Sequence, residues 1–194
     1  MNKHLKTLLT LLCGSLFISP VLSQSDLAGI SHLQSTYDRT VFLRSLYDSD
    51  REVRRFEDSV MLADGWRSPE HLAAISQLHG TDSLNTLKID RYLDLYSYPE
   101  KEEFEGEDEA RIAPWQILLH SRNREIRRKH FAAIYKAYEE GNLETRRLLL
   151  FLEDEYERSF GKNFQSYNQG ERRIEELSKA LKEQDVQKGR LRFP

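Results

Sequence analysis

Thiol chemistry is all but absent from this sequence: its single cysteine is Cys13. One cysteine cannot close a disulfide within the chain, and it cannot supply the sulfur set of a structural zinc site. Only nine glycines and five prolines punctuate 194 residues, which leaves long stretches free to be helical. There is no His-Glu-x-x-His helix and no Gly-rich phosphate loop, so neither a zincin-type protease nor a P-loop nucleotide enzyme is indicated. Charge of one sign is lacking too. Lysine and arginine number 29 against 32 acidic residues, a formal net charge of −3, which leaves no electrostatic footprint for nucleic acid. No apolar stretch approaches the ~20 residues that a membrane span needs.

What is present begins with an export signature. Lys3 and Lys6 precede an apolar run from Leu8 to Ile18, and Pro20 is followed by Val21-Leu22-Ser23, with short residues where a signal peptidase reads. Residues 1–23 are therefore expected to be a signal peptide cleaved after Ser23, with the product working in the periplasm or outside the cell. Cys13 follows Leu11-Leu12 inside the apolar run, so a lipid anchor is not expected. The mature chain, from about Gln24, would then contain no thiol and would fold on its hydrophobic core alone.

Beyond the leader the pattern is helical, and the sequence predicts one all-α domain of seven or eight helices over residues 24–187, with a basic tail over 188–194. Leu27, Ile30, Leu33, Tyr37, Val41 and Leu43 suggest an N-terminal helix. Ser49-Asp50-Arg51-Glu52 has capping-box spacing, with Val53, Phe56 and Val60 behind it and Gly65 as a stop. Ser68-Pro69 opens the next helix, with a stripe of Leu72, Ile75 and Leu78 ending at Gly80. Asp82 can cap a third, running to Tyr96 before Pro99, with Leu84, Leu87, Ile89, Tyr92 and Leu93 inside. Glu100 to Glu109 reads as a solvated acidic loop. A buried helix follows, bent or started by Pro114 and ending at His120. A long amphipathic helix through Ile126, His130, Phe131 and Ile134 reaches Gly141. Asn142 can cap another that stops at Gly161. Lys162 to Gly170 is a loop or extended segment, and a last helix carries Ile174, Leu177 and Leu181. The expected core includes Trp115, Leu118, Phe131, Ile134, Leu148, Phe151 and Leu152.

The order of several segments resembles a family of bacterial, often exported proteins designated domain of unknown function 6624. Tyr47-Asp48-Ser49-Asp50-Arg51-Glu52-Val53-Arg54 is similar to that family's early Asp-rich helix, and Asp82-Ser83-Leu84-Asn85 to its Asp-x-x-Asn helix start. Tyr98-Pro99 with Gly106 looks like its central loop, and Trp115 to Ser121 like its apolar helix closing on a histidine. Leu152-Glu153-Asp154, followed by Gly161 to Gln169, resembles its final signature. The likeness spans residues 47–180. It departs at Glu155, where the family has arginine, and in the last loop, which is shifted by one residue and lacks a glycine. The resemblance implies an exported protein in which the segments around Asp82, His120 and Asp154 to Gln169 meet in space. It carries no activity with it.

His120 is the residue best suited to chemistry, since an imidazole can act as base or ligand near neutral pH; equally, it can cap the carbonyls of its own helix end. Asp50, Asp82 and Asn85 fit as helix-start residues. Asp154, in the middle of an apolar helix, calls for a counter-charge, and Arg54 or Arg124 can supply it. Gln165, Tyr167 and Gln169 can either read a polar ligand or fix their loop. A metal set of Asp50, Asp82, His120 and Asp154 is open in principle, but no ligand spacing indicates it, and no cofactor is expected. His71 and His79 lie too far apart for paired ligands on one helix, and His130 reads as a hydrogen-bonded core histidine. The run Arg122, Arg124, Arg127, Arg128, Lys129 reads as a solvated face paired with the acidic loop. Two functions follow. The first is a non-catalytic exported module that binds a protein or a small polar ligand through Asp50, Arg54, Asp82, Asn85, His120, Gln165, Tyr167 and Gln169. The alternative is a hydrolase-like enzyme that uses His120 with an acidic partner such as Asp154.

Overall fold

The computed structural model describes residues 24–188. The expected leader, residues 1–23, lies outside them, as does the expected basic tail beyond Lys188. Among the described residues there are eight helices and no strand: α1 (Gln24–Ile30), α2 (Thr36–Asp64), α3 (Pro69–Tyr96), α4 (Asp108–His120), α5 (Arg124–Lys129), α6 (Phe131–Glu139), α7 (Thr145–Phe160) and α8 (Gly170–Lys188). The all-α expectation holds. No helix among them is long and apolar enough to cross a membrane.

The two longest helices form a hairpin, and both correct the sequence reading. Ser35, not Ser49, is the N-cap of α2: its hydroxyl accepts from the Asp38 amide while the Asp38 carboxylate accepts from the Ser35 amide. The Ser49 to Glu52 box is helix interior. A capping motif matters only where amides are free, and the inward stripe Leu43, Leu46, Tyr47, Asp50, Val53 runs straight through it. Phe56, expected inside, is exposed. Ser68 does cap α3, with Pro69 in its first turn. That helix then passes through Gly80 and Asp82 without a break. A glycine costs a helix only about 1 kcal/mol against alanine, less than packing on both α2 and α4 returns. Its buried face is His71, Ala74, Asp82, Asn85, Thr86, Ile89, Tyr92 and Leu93, whereas Leu72 and Leu87 are exposed.

Helix α4 lies against α2 and α3 and continues through Pro114 rather than starting there. The acidic segment before it is not simply solvated. Phe104 within it is buried, and its carboxylates reach back to α2: Glu103 pairs with Arg39, and Glu107 with Arg44 at 2.6 Å. The expected helix from Ser121 to Gly141 is instead two, α5 and α6, interrupted at His130. That residue is buried, as expected, with its Nε2 at 2.7 Å from Asp90 Oδ1. Asn142 does not cap α7. Its side chain turns to the acidic segment and accepts from the Lys101 amide at 2.8 Å, and Glu144 holds the N-cap position. Gly161 ends α7 in the left-handed region at φ 68°, where a side chain would be strained. Helix α8 closes over α7 with Ile174, Leu177 and Leu181. All seven residues expected in the core are at most 6% exposed.

Candidate functional site

The polar residues singled out in the sequence meet where α2, α3 and α4 touch. Asp50 and Arg54 are one turn apart on α2, Gln116 and His120 one turn apart on α4, and Asp82 faces them from α3. Asp50 is only 1% exposed, so its charge must be satisfied by protein groups. Its carboxylate accepts from Gln116 Nε2 at 2.7 Å, from Arg54 Nη2 at 3.1 Å and from His120 Nδ1 at 2.9 Å. Arg54 Nη2 also donates to Asp82 Oδ1 at 2.8 Å, which ties the two helices of the hairpin together. Burial pushes the Asp50 carboxyl up, but the bonds from His120, Arg54 and Gln116 outweigh it and hold the group below its ordinary value. Asp82 goes the other way: burial raises it, and the Arg54 guanidinium offsets this only in part.

This arrangement fixes the state of the His120 ring. An ionised carboxylate is acceptor-only, so the Nδ1 facing both Asp50 oxygens must carry the proton. Arg54 Nε also lies 3.1 Å from that Nδ1, but with the nitrogen protonated this is a close approach and not a bond; the Arg54 Nε–H serves Asp50 Oδ2. In the neutral ring Nε2 is then the lone-pair acceptor, and the ring borders a cleft of about 560 Å³. A buried carboxylate that orients a histidine in this way is the arrangement that makes the far nitrogen a better base or ligand.

The opposite wall of the cleft comes from α7, where Asp154 and Arg158 are again one turn apart, with Leu150 beside them. Asp154 is only partly buried, and its partners differ from those expected. Neither Arg54 nor Arg124 reaches it. Arg127 Nη2 and Arg158 Nε each donate to Asp154 Oδ2 at 2.6 Å. Arg127 is completely buried: it also pairs with Glu155, donates to the carbonyls of Leu118 and Leu119, and lies over the Phe151 ring. The run Arg122 to Lys129 is therefore not one solvated face, and it does not meet the acidic segment. His79 and Arg122 complete the cleft mouth, with Arg122 Nη1 at 3.3 Å from His79 Nδ1.

The structure thus brings together Asp50, Arg54, Asp82, His120 and Asp154. Asn85 is buried one turn from Asp82 but does not border the cleft. Gln165, Tyr167 and Gln169 stand apart and exposed, Tyr167 fully so. Gln165 and Tyr167 border a separate shallow hollow, and the loop is held instead by Asn168 donating to Glu176 at 2.6 Å and by Arg173, whose Nε pairs with Glu153. Gln116 and Arg158 were missed in the sequence, and His79 and Arg122 were read there only as an unpaired histidine and part of a solvated face. One-turn spacing of Gln116 from His120, Arg158 from Asp154 and His79 from Asp82 was the available signal, and Arg122 offered none.

The set Asp50, Asp82, His120 and Asp154 does not close to metal-ligand geometry. Among the described residues one His/carboxylate group does, with ligand atoms within 4.8 Å: Asp90, Asp94 and His130. Lys129 Nζ sits against it, at 2.7 Å from Asp90 and 2.6 Å from Asp94, and supplies the positive charge. Comparison with family models, with curated proteins and with solved structures finds no match to this chain.

Proposed function

We propose that this is an exported binding module whose cleft takes a small anionic ligand. One observation carries the reading: His120 is locked through Nδ1 by buried Asp50, with its Nε2 unpartnered among the described residues on a cleft walled by Arg54, Arg122 and Arg158. The carboxylates of that cleft are already engaged, Asp82 by Arg54 and Asp154 by Arg127 and Arg158. Among the described residues Arg122 has no carboxylate partner, which leaves a net attraction for negative charge at the mouth. Export and kinship with the resembled family belong to the same reading. Mass spectrometry of the secreted product should find a new N-terminus at about Gln24; an intact Met1 in the cell interior would overturn it.

Calorimetric titration with acetate, citrate and phosphate tests the binding reading, alongside urea unfolding of His120→Gln. Loss of anion binding with stability retained supports a ligand site. Loss of stability with no anion binding in the parent chain makes the cluster a packing network instead. The Asp50–His120 pair favours a second reading, a hydrolase in which Nε2 takes the proton from an attacking water. Among the described residues no hydroxyl or thiol side chain lines the cleft, so none of them can carry a covalent intermediate on serine or cysteine. Hydrolysis of a small chromogenic ester that disappears in both Asp50→Asn and His120→Gln would favour this second function.

A further inference from the structure

Beside the second oxygens of Asp82 and Asp154 and the Nη1 of Arg54, three groups on the cleft wall keep hydrogen-bonding capacity that no described residue uses, and their neighbours fix the polarity of each. Arginine is a donor only, so the His79 Nδ1 that faces Arg122 must be an acceptor, and the proton of that neutral ring sits on Nε2. Burial, followed by the nearby Arg122 cation, holds His79 below the usual imidazole value and keeps this neutral tautomer. Arg122 contributes a donor fork whose one partner among the described residues is that ring. His120 is the opposite case: Asp50 accepts from its Nδ1–H, and Nε2 of the neutral ring offers a lone pair. These three groups give two donors and one acceptor from separate elements, α3, the end of α4 and the segment after it, and the open oxygens of Asp82 and Asp154 add acceptors to the same wall.

A carboxylate or sulfate at neutral pH has only acceptors, and one of its oxygens would meet the His120 lone pair. A ligand that satisfies all three groups is anionic, carries several oxygens, and keeps a hydroxyl of its own. We propose that the cleft is a site for a protonated oxyanion, with hydrogen phosphate as the probe, Arg122 and His79 donating to its oxygens and its hydroxyl donating to His120 Nε2. This rests on the anionic-ligand reading above and names the class of ligand. Arg54 and Arg158 also border the cleft, each paired with a carboxylate, and add positive potential.

The test is calorimetry on the full chain at pH 8 and low salt, above the ordinary imidazole value of about 6.5. The probes are sodium phosphate, sodium sulfate, methyl phosphate and sodium acetate. At this pH hydrogen phosphate keeps a hydroxyl, whereas sulfate and the methyl phosphate dianion have none. Phosphate should bind about tenfold or more tightly than either, the size expected for one mismatched hydrogen bond. Arg122→Gln should weaken phosphate by a similar factor. In His120→Gln an amide that can donate replaces the lone-pair acceptor, and the preference over sulfate should shrink towards unity. Equal binding of phosphate and sulfate by the parent chain overturns the proposal. Acetate binding without phosphate binding also overturns it, while leaving the anion cleft in place. No binding of any of the four removes both. The parent chain alone decides between these outcomes, even if a variant fails to fold.

Discussion

Replacing Arg127 by methionine removes the one cation that ties α5 to both α4 and α7, and the structure indicates what is left behind. Asp154 keeps Arg158 at 2.6 Å, so it is not orphaned. Glu155 loses its arginine while its side chain is only 12% exposed. The buried Leu118 carbonyl loses a bond of 2.9 Å, the Leu119 carbonyl keeps only a long one from Arg158, and Phe151 loses a guanidinium 4.8 Å from its ring centre. Methionine restores most of the volume, so the cost is electrostatic and not a cavity. Removing one partner of a buried ion pair costs about 3–5 kcal/mol. With an m-value of about 2 kcal/mol/M, a loss of about 4 kcal/mol lowers the urea midpoint by about 2 M. Adding Glu155→Gln should recover part of it, because the stranded charge is what costs most. A single variant that loses less than about 1 kcal/mol at unchanged m would refute the reasoning, since Arg127 would then carry none of the network.

Leu118→Ala should cost about 2–5 kcal/mol and Phe151→Ala about 3–5 kcal/mol, both by urea unfolding; losses under about 0.5 kcal/mol at both would mean that the faces of α4 and α7 are misassigned. Asp50 ionises more readily folded than unfolded, so its stabilisation is present above the ordinary value of 3.8 and is lost as pH falls through its lower folded value. Asp50→Asn should therefore destabilise the chain at pH 7 and flatten the acid limb of its pH–stability curve below about pH 4; a limb as steep as the parent's would contradict the bonds from His120, Arg54 and Gln116. Gly161→Ala should cost about 1–2 kcal/mol through its left-handed backbone, and an unchanged thermal midpoint would show that the end of α7 can rearrange freely.

The sequence carried the class of fold and the later half of the core well, because the apolar residues of α4, α6, α7 and α8 recur at helical spacing and their neighbours are polar. It misplaced helix ends wherever a capping residue lay inside a longer periodic stretch. Ser49, Gly80 and Asp82 each have the local chemistry of a boundary, yet packing of α2 on α3 and α4 outweighs local propensity there. The reverse error came at His130, where a continuous pattern hides a break that a bond to Asp90 stabilises. Five residues of the cluster were visible in advance, Asp50, Arg54, Asp82, His120 and Asp154, because polar side chains on otherwise apolar faces stand out. The partner of Asp154 was not. Arg127 sits among five basic residues within eight positions, and nothing in that run distinguishes the one that is buried from those in water. The loop of Gln165, Tyr167 and Gln169 failed for a related reason, since amides and phenols suit solvent as well as they suit a ligand.

The α2–α3 hairpin has a consequence for the order in which the molecule assembles. Its two helices are joined by a short turn, so their contacts are local in sequence and cost little loop closure to form. Asp50, Arg54, His79 and Asp82 all lie on it, and the Arg54–Asp82 bond can form as soon as the hairpin closes. His120 and Gln116 arrive only when α4 docks, and Asp154 and Arg158 only when α7 follows. In a refolding experiment, helical signal should thus return before affinity for any anion does, and binding would mark the last step of assembly.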